Sequence, residues 1–352
     1  MSDPAAPSAP SLAPLLVAND GSPVTRETWP ARRQEILDAI MPVEYGLMPP
    51  PAAVSAFPLH SQPRAGYHQD SWMLSFATPK PLQMALDLYL PDAPAAHDAP
   101  RPVVVCGDGC WQYARDQLQL IIRRGYALAL FNRLELAADV IDDARHDRFA
   151  YGLYRACPGT DCGALAAWAW GYHRVLDFLA TRPEIDMGRV ALSGHSRGGK
   201  TVLIAAATDP RPALVNPNGS GCGGSASYHY CAPGGETMAD ILGRFPFWFA
   251  RGFDRFLAED LPFDQHFLTA LIAPRWLIDT QAADDHWANL PGQALIQEAT
   301  AEVYRLLGAP ERLSRHVRPG THFQRDEDFE AMLDVADRAF GPSPYRVEAP
   351  RP

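Results

Sequence analysis

Positive charge is in short supply: 31 Lys and Arg stand against 41 Asp and Glu in 352 residues, a formal net charge of −10. The basic residues are scattered, so nucleic acid and anionic membrane are not expected partners. Long apolar runs are missing too, with no stretch of about 18 apolar residues to span a bilayer. The opening Met1-Ser2-Asp3-Pro4 lacks the basic-then-apolar pattern of a secretory signal. The expected location is therefore cytoplasmic, or extracellular if a signal has been removed. Six cysteines in a chain this long make no disulfide framework. The close pairs Cys106/Cys110 and Cys157/Cys162 have no companion His or Cys at finger-like spacing, so no metal is expected. Gly219-Ser220-Gly221-Cys222-Gly223-Gly224 is rich in glycine but lacks the lysine and spacing of a phosphate-binding loop. No cofactor is expected, and no internal repeat is present.

What the chain does contain is the alternation of an α/β protein. Residues 1–14 are Pro, Ala and Ser with no periodic apolar face, the composition of a disordered leader. A helix opens near Thr25 to Thr28, with Trp29, Ile36, Leu37 and Ile40 at near-helical spacing, and is expected to close over the domain edge. From Val54 to Leu90 apolar and polar residues alternate, as expected of antiparallel strands at one sheet edge. From Pro102 onward short apolar strands alternate with helical stretches, the mark of a parallel sheet covered on both faces. The strands are read at Val103 to Val105, Tyr126 to Phe131, Val190 to Leu192, Leu214 to Pro217, Pro274 to Thr280 and near His316-Val317. A long helix over Asp161 to Thr181 carries Trp168 and Trp170 as core residues, and another runs from about Gly292 to Leu307. The expected architecture is one α/β-hydrolase domain over 15–345: a mostly parallel central sheet, antiparallel N-terminal edge strands, helices on both faces. A capping segment over about 225–268, rich in Phe and Trp, is expected to be helical.

The chemistry centres on Gly194-His195-Ser196-Arg197-Gly198, which fits the G-x-S-x-G elbow between a buried strand and a helix. A serine hydroxyl needs a base to take its proton and a carboxylate to hold that base, in the chain order Ser, acid, His. Asp285 and Asp284 are the acids in a loop leaving a later strand; Asp285 is preferred and Asp284 is the substitute. His322 follows the last strand and is the base, with His316 as competitor inside that strand. His195, His229 and His286 read as surface or packing residues. Arg197 follows the nucleophile, so its N–H belongs to the oxyanion hole, and its guanidinium either adds charge there or pairs with an acid of the capping segment. The loop Gly107 to Cys110 is a candidate for a second oxyanion N–H. Lys200, at i+4 from Ser196, projects either into the pocket or into an ion pair.

Several stretches together are similar to the glucuronoyl esterases, the fifteenth carbohydrate esterase family, particularly its bacterial branch. They are Glu44-Tyr45-Gly46, Ala166-Ala167-Trp168-Ala169-Trp170-Gly171, the elbow through Lys200, Ser220 to Gly224, Leu261-Pro262-Phe263-Asp264-Gln265-His266, Leu271 to Arg275, and Asp285-His286-Trp287 with His322. The resemblance implies hydrolysis of (4-O-methyl-)glucuronate esters without metal, on small-molecule or glycan substrates. It also implies Ser196 as nucleophile, His322 as base, Arg197 as oxyanion stabiliser, and Lys200 and Trp287 as sugar contacts. Fungal members carry a Glu where this chain has Gly219, so Asp285 has to serve as the acid. An acetylxylan-type or general carboxylesterase is the nearest alternative, and a hydrolase-fold binding protein without turnover is the alternative of a different class.

Overall fold

The computed structural model describes residues 12–92, 99–139 and 148–347. Its strands are β1 (Val54–Arg64), β2 (Tyr67–Phe76), β3 (Leu82–Pro91), β4 (Arg101–Cys106), β5 (Ala127–Phe131), β6 (Ile185–His195), β7 (Leu214–Asn218), β8 (Trp276–Ala282) and β9 (Leu313–Arg318). They form a single sheet in the order β1-β2-β3-β5-β4-β6-β7-β8-β9. The first three pair antiparallel, and β3 joins β5 antiparallel. All remaining pairs are parallel. This is the architecture expected from the switch in pattern at Pro102. In β3 the alternate residues Leu82, Met84, Leu86 and Leu88 are buried, whereas the parallel Val103-Val104-Val105 is buried on both faces.

Helices cover both faces. Ala164–Leu179 and the helix after the elbow, Arg197–Thr208, lie in one core with Trp168, Trp170, Val175 and Leu176 fully enclosed. Leu118–Arg123 and Asp326–Phe340 bury Ile121, Phe329, Met332 and Leu333 in the core on the other side. The N-terminal helix, Trp29–Ile40, covers the short helix His266–Ala270 rather than closing over an edge. Arg33 clamps it there by donating to the carbonyls of Leu271 at 3.1 Å and Ala207 at 2.6 Å.

Two expectations need correcting. The capping segment is mostly not helical: it holds one seven-residue helix, Met238–Arg244, single 3-10 turns at Pro246–Trp248, Phe253–Arg255 and Ala258–Asp260, and at its end the start of His266–Ala270. Pro246, Gly252 and Pro262 break any longer run, and burial of the Phe and Trp side chains orders the segment instead. The leader lies outside the described residues up to residue 11, but its last two residues are tied down. The carbonyl of Ala13 accepts from His266 and that of Pro14 from Arg32.

Six parallel strands end on one edge of the sheet, so the loops after Cys106, Phe131, His195, Asn218, Ala282 and Arg318 gather there. That edge is where ligands bind in open α/β sheets. It is held partly from below by Glu44, which lies in a π turn, Met41–Tyr45, continuing the N-terminal helix. Glu44 is fully buried; its Oε1 accepts from Tyr228 Oη at 2.7 Å and Gln265 Nε2 at 2.8 Å, while Oε2 has no partner. Neighbouring Tyr45 donates to the carbonyl of Gly223 in the glycine-rich loop.

Burial pushes the Glu44 carboxyl up from 4.5 to about 7, against hydrogen bonds that favour its charged form. The folded chain therefore holds this proton more tightly than the unfolded chain. Its contribution to stability is complete below about pH 4.5 and lost as pH rises through 7. Glu44→Gln cannot ionise, so its stability relative to the parent should improve by on the order of 3 kcal/mol between pH 4.5 and 8. Urea unfolding of both proteins at the two pH values measures this, and a difference that does not change with pH would contradict it.

Candidate active site

Strand β6 delivers the elbow. After His195 the chain turns at Ser196 with φ 55° and ψ −117°, one of two non-glycine residues at positive φ among the described residues. The Ser196 N–H donates to the Asn218 carbonyl at 2.7 Å, and its own carbonyl accepts the first helical bond from Lys200 at 3.0 Å. Packing permits nothing larger than hydrogen beside it. A Cβ on Gly194 would collide with the Gly198 backbone, and one on Gly198 with the Asp108 carboxylate. The strained serine is thus held by a strand on one side and a helix on the other. The amides of Arg197, Gly198 and Gly199 lie in the helix's first turn, without intrahelical acceptors and at the positive end of its dipole.

The sheet then brings two residues distant in sequence to the same place. Asp285 follows β8 and is 4 % exposed; His322 follows β9 and is partly open to solvent. The His322 Nδ1–H donates to Asp285 Oδ2 at 2.5 Å, which leaves Nε2 as the outward nitrogen. The ring lies over Gly219, the residue after β7, where an added Cβ would sit 3.3 Å from Cε1 and 3.4 Å from Nδ1. Because Ser196 is bonded to Asn218, that position adjoins the elbow. The two acids separate cleanly. Asp284 is exposed and accepts from the Gly320 amide at 3.1 Å, while its own amide donates to the Gly320 carbonyl, so it staples two loops. The competing base, His316, stays within β9 near Asp328.

Arg197 and Lys200 both turn toward the capping segment. The Arg197 guanidinium bonds Asp139 at 2.5 Å and stands 4.6 Å from the Trp248 ring centre. The ion-pair reading therefore holds, but with an acid of the loop after β5 rather than of the cap. Asp139 is fixed in turn by the Trp248 indole at 3.0 Å. Lys200, one of only two lysines in the chain with Lys80, is 3 % exposed and donates to the Ser220 carbonyl. Burial pulls its pKa down, opposed by Glu236, whose own carboxyl burial pushes up against Lys200 and a hydrogen bond from the Trp287 side chain. Glu236, which sequence reading passed over, is thus buried within the electrostatic reach of Lys200 and beside Trp287. Trp287 is 39 % exposed, its ring facing Arg244.

Three further groups escaped the sequence. His195 is a buried packing residue, and touches the His322 ring at 4.6 Å between centres. Its Nδ1 meets Asn218 Oδ1 at 2.6 Å; since Asn218 Nδ2 donates to the Thr280 carbonyl, the amide oxygen must accept and His195 Nδ1 must carry hydrogen. Burial, then the neighbouring His322, drives the His195 pKa down to about 3, so it is uncharged at neutral pH. Asp108 and Arg133 form a fully buried ion pair under the elbow, with Asp108 also accepting from the His195 amide at 2.7 Å. Arg133 is stacked between Trp111 and Trp168. The loop Gly107 to Cys110 consequently supplies a carboxylate. Its Gly107 and Gly109 amides are already taken by Tyr172 Oη and the Phe131 carbonyl. Polar residues closing the apolar strands β4 and β5 were the available signal. Lastly, buried Arg318 donates to Asp328 and to the carbonyls of Pro319, Thr321 and Phe323, shaping the loop that carries His322. His229, by contrast, is tied to Asp264 at 2.9 Å and His286 is exposed, as expected. Among the described residues no cluster of three or more His, Cys, Asp or Glu could hold a metal ion, and no helix is long and apolar enough to cross a membrane.

Comparison with known proteins places this geometry. Residues 79–308 match the family described as glucuronyl esterase, fungi. The chain is similar to the carbohydrate esterase MZ0003 of an unknown prokaryotic organism, 38 % identical over half of this chain and 44 % of that protein, so it spans less than half of that relative's length. It is 32 % identical to the 4-O-methyl-glucuronoyl methylesterase of Schizophyllum commune over 83 % of this chain and 72 % of that one. A solved carbohydrate esterase family 15 glucuronoyl esterase from Caldicellulosiruptor kristjansonii superposes with a TM-score of 0.79 at 30 % identity, covering 94 % of this chain and 91 % of the other.

The floor under His322 makes a sharp test. Gly219 has φ 52°, and a Cβ there presses on the ring. Gly219→Ala should lower kcat at least tenfold while costing about 1–2 kcal/mol of stability for the left-handed backbone. Ester hydrolysis measured beside thermal unfolding checks it; an unchanged kcat would show that the ring does not rest there.

Proposed function

The chain belongs to the glucuronoyl esterase family, and from that premise we propose that it hydrolyses esters of (4-O-methyl-)glucuronic acid through a serine acyl-enzyme. The observation that carries the reading is the His322–Asp285 hydrogen bond poised over Gly219, beside a serine in the backbone conformation of an elbow. The Schizophyllum relative's name supports the substrate class.

In this reading Ser196 Oγ attacks the ester carbonyl as its proton passes to His322 Nε2. Asp285 accepts from Nδ1 throughout, which holds the tautomer and stabilises the imidazolium. The oxyanion faces the Arg197 amide and the first turn of the helix, where losing one donor typically costs about 3 kcal/mol of barrier. The Arg197 guanidinium adds positive charge from a position fixed by Asp139. Because His195 is neutral, it adds no charge against the imidazolium forming above it. His322 then protonates the leaving alcohol oxygen and the ester C–O bond breaks. Water attacks the acyl-enzyme, returns a proton through His322 and frees the uronic acid. Lys200 and Glu236 are suited to the sugar hydroxyls, and the open face of Trp287 to the apolar side of the ring.

Kinetics on benzyl glucuronate beside 4-nitrophenyl acetate test the substrate: the uronate should be preferred, and a clear preference for acetate would replace this reading with a general carboxylesterase. Labelling by a fluorophosphonate should vanish in Ser196→Ala; equal labelling of both proteins would leave only a binding role. Asp285→Asn should lower kcat on the order of 10³- to 10⁴-fold, and Asp284→Asn by no more than about threefold. Equal losses would return the acid to an open question between the two.

A further inference from the structure

We infer that Asp139 is a specificity residue: its carboxylate balances Arg197, so the site takes up an uncharged ester more readily than the carboxylate it releases. The inference rests on the uronate ester hydrolysis proposed above and extends it to the last step, departure of the product. Ester and product differ in charge. Water adds across the acyl C–O bond, the alcohol keeps one hydrogen, and the acid formed loses its proton to solvent at neutral pH. A guanidinium beside the reacting carbonyl stabilises the passing oxyanion, and unopposed it would also hold that final anion.

The charges around the elbow come in pairs. Arg133 meets Asp108, Arg197 meets Asp139, and buried Lys200 lies in the field of Glu236. Asp139 reaches beyond its own partner, since Arg133 also feels its charge. Its oxygens are engaged separately, Oδ2 by Arg197 Nη1 at 2.5 Å and Oδ1 by the Trp248 indole at 3.0 Å. The carboxylate is therefore pinned against the guanidinium and does not swing away when an anion arrives. The guanidinium stands 4.6 Å from the ring centre of Trp248, 5.0 Å from that of Phe245 and 5.7 Å from that of Trp111, surroundings that screen the pair less than water would. Outside these pairs is Asp285, whose ion-pair partner among the described residues is His322, so its charge is unbalanced whenever that ring is neutral. His195 is uncharged and adds nothing. A site with more carboxylates than cations treats the two anions of the reaction differently. The oxyanion arises together with the His322 imidazolium, so the attack adds no net charge. The product carboxylate remains after the proton has gone and adds a whole one. Repulsion thus falls on the product and largely spares the attack, which is discrimination obtained from an opposing element.

Inhibition of methyl glucuronate hydrolysis by free glucuronate reads this directly. In the parent enzyme Ki for the acid should exceed KM for the ester. Asp139→Asn keeps the shape and removes the charge, so its ratio of Ki to KM should fall about three- to tenfold at low ionic strength and less in salt. Asp139→Ser should shift the ratio in the same direction, and Asp139→Glu should restore the parent value. A residue that only held its loop in shape would move Ki and KM together. A ratio unchanged or raised in Asp139→Asn overturns the inference, and so does a parent enzyme that binds the acid more tightly than the ester. The same fall in Asp139→Glu also overturns it, because charge would not be the cause. Failure of the uronate reading is distinguishable: a parent enzyme active on 4-nitrophenyl acetate but on no uronate ester would remove that reading alone. Acetate ion would then replace glucuronate as the inhibitor, with the same outcomes deciding.

Discussion

The site depends on a distance that the chain has to recross. His322 leaves β9, three strands from the elbow at the end of β6, and adjacent strands are about 4.8 Å apart, so roughly 14 Å of sheet separates them. A histidine that simply continued its strand would never meet the serine. Arg318 bends the loop by binding three of its carbonyls, Asp285 at the end of β8 captures the near side of the ring, and Gly219 at the end of β7 leaves room beneath it. Each intervening strand therefore contributes one element of the bridge. Asp285 is both the partner that orients the imidazole and the post that keeps it over the elbow.

The same economy governs the charges under the site. Asp108 and Arg133 are fully buried, and a buried ion pair is poor evidence of stability by itself, because desolvation offsets its attraction. Its position explains it better. Asp108 accepts the His195 amide and lies against Gly198, so the pair fixes the backbone on both sides of Ser196. Breaking one member would leave an unpaired charge beneath a strained turn. Lys200 shows a related pattern: a compact ammonium, sealed in place by the Ser220 carbonyl and balanced by Glu236, in a chain whose other cations are almost all arginine.

Much of this was legible from local pattern. The change at Pro102 from period-two alternation to short apolar runs marks where the sheet becomes parallel, and the elbow announces itself by two glycines that nothing bulkier can replace. The cap was misread because density of Phe and Trp says that a segment is buried, not that it is helical. For His195 the packing reading held, but its place beside His322 was not legible: a histidine between a strand and a serine has no periodic signature, and its neutrality follows from burial against a second ring that lies 127 positions away.

By themselves the residues determined the class of fold and the serine of the elbow, and set the order in which the proposed acid and base follow it, because each is written in short-range steric and hydrogen-bonding preferences. They favoured Asp285 over Asp284 for the proposed acid only by its place in the loop, since neighbours in sequence differ in which way they face. Only the tertiary structure decided that one staples a loop while the other holds the imidazole. It likewise decided that Arg197 answers to Asp139, and that Glu236 is buried within the electrostatic reach of Lys200. Those choices depend on through-space distances of a few ångströms between segments far apart in the chain, and no local pattern encodes them.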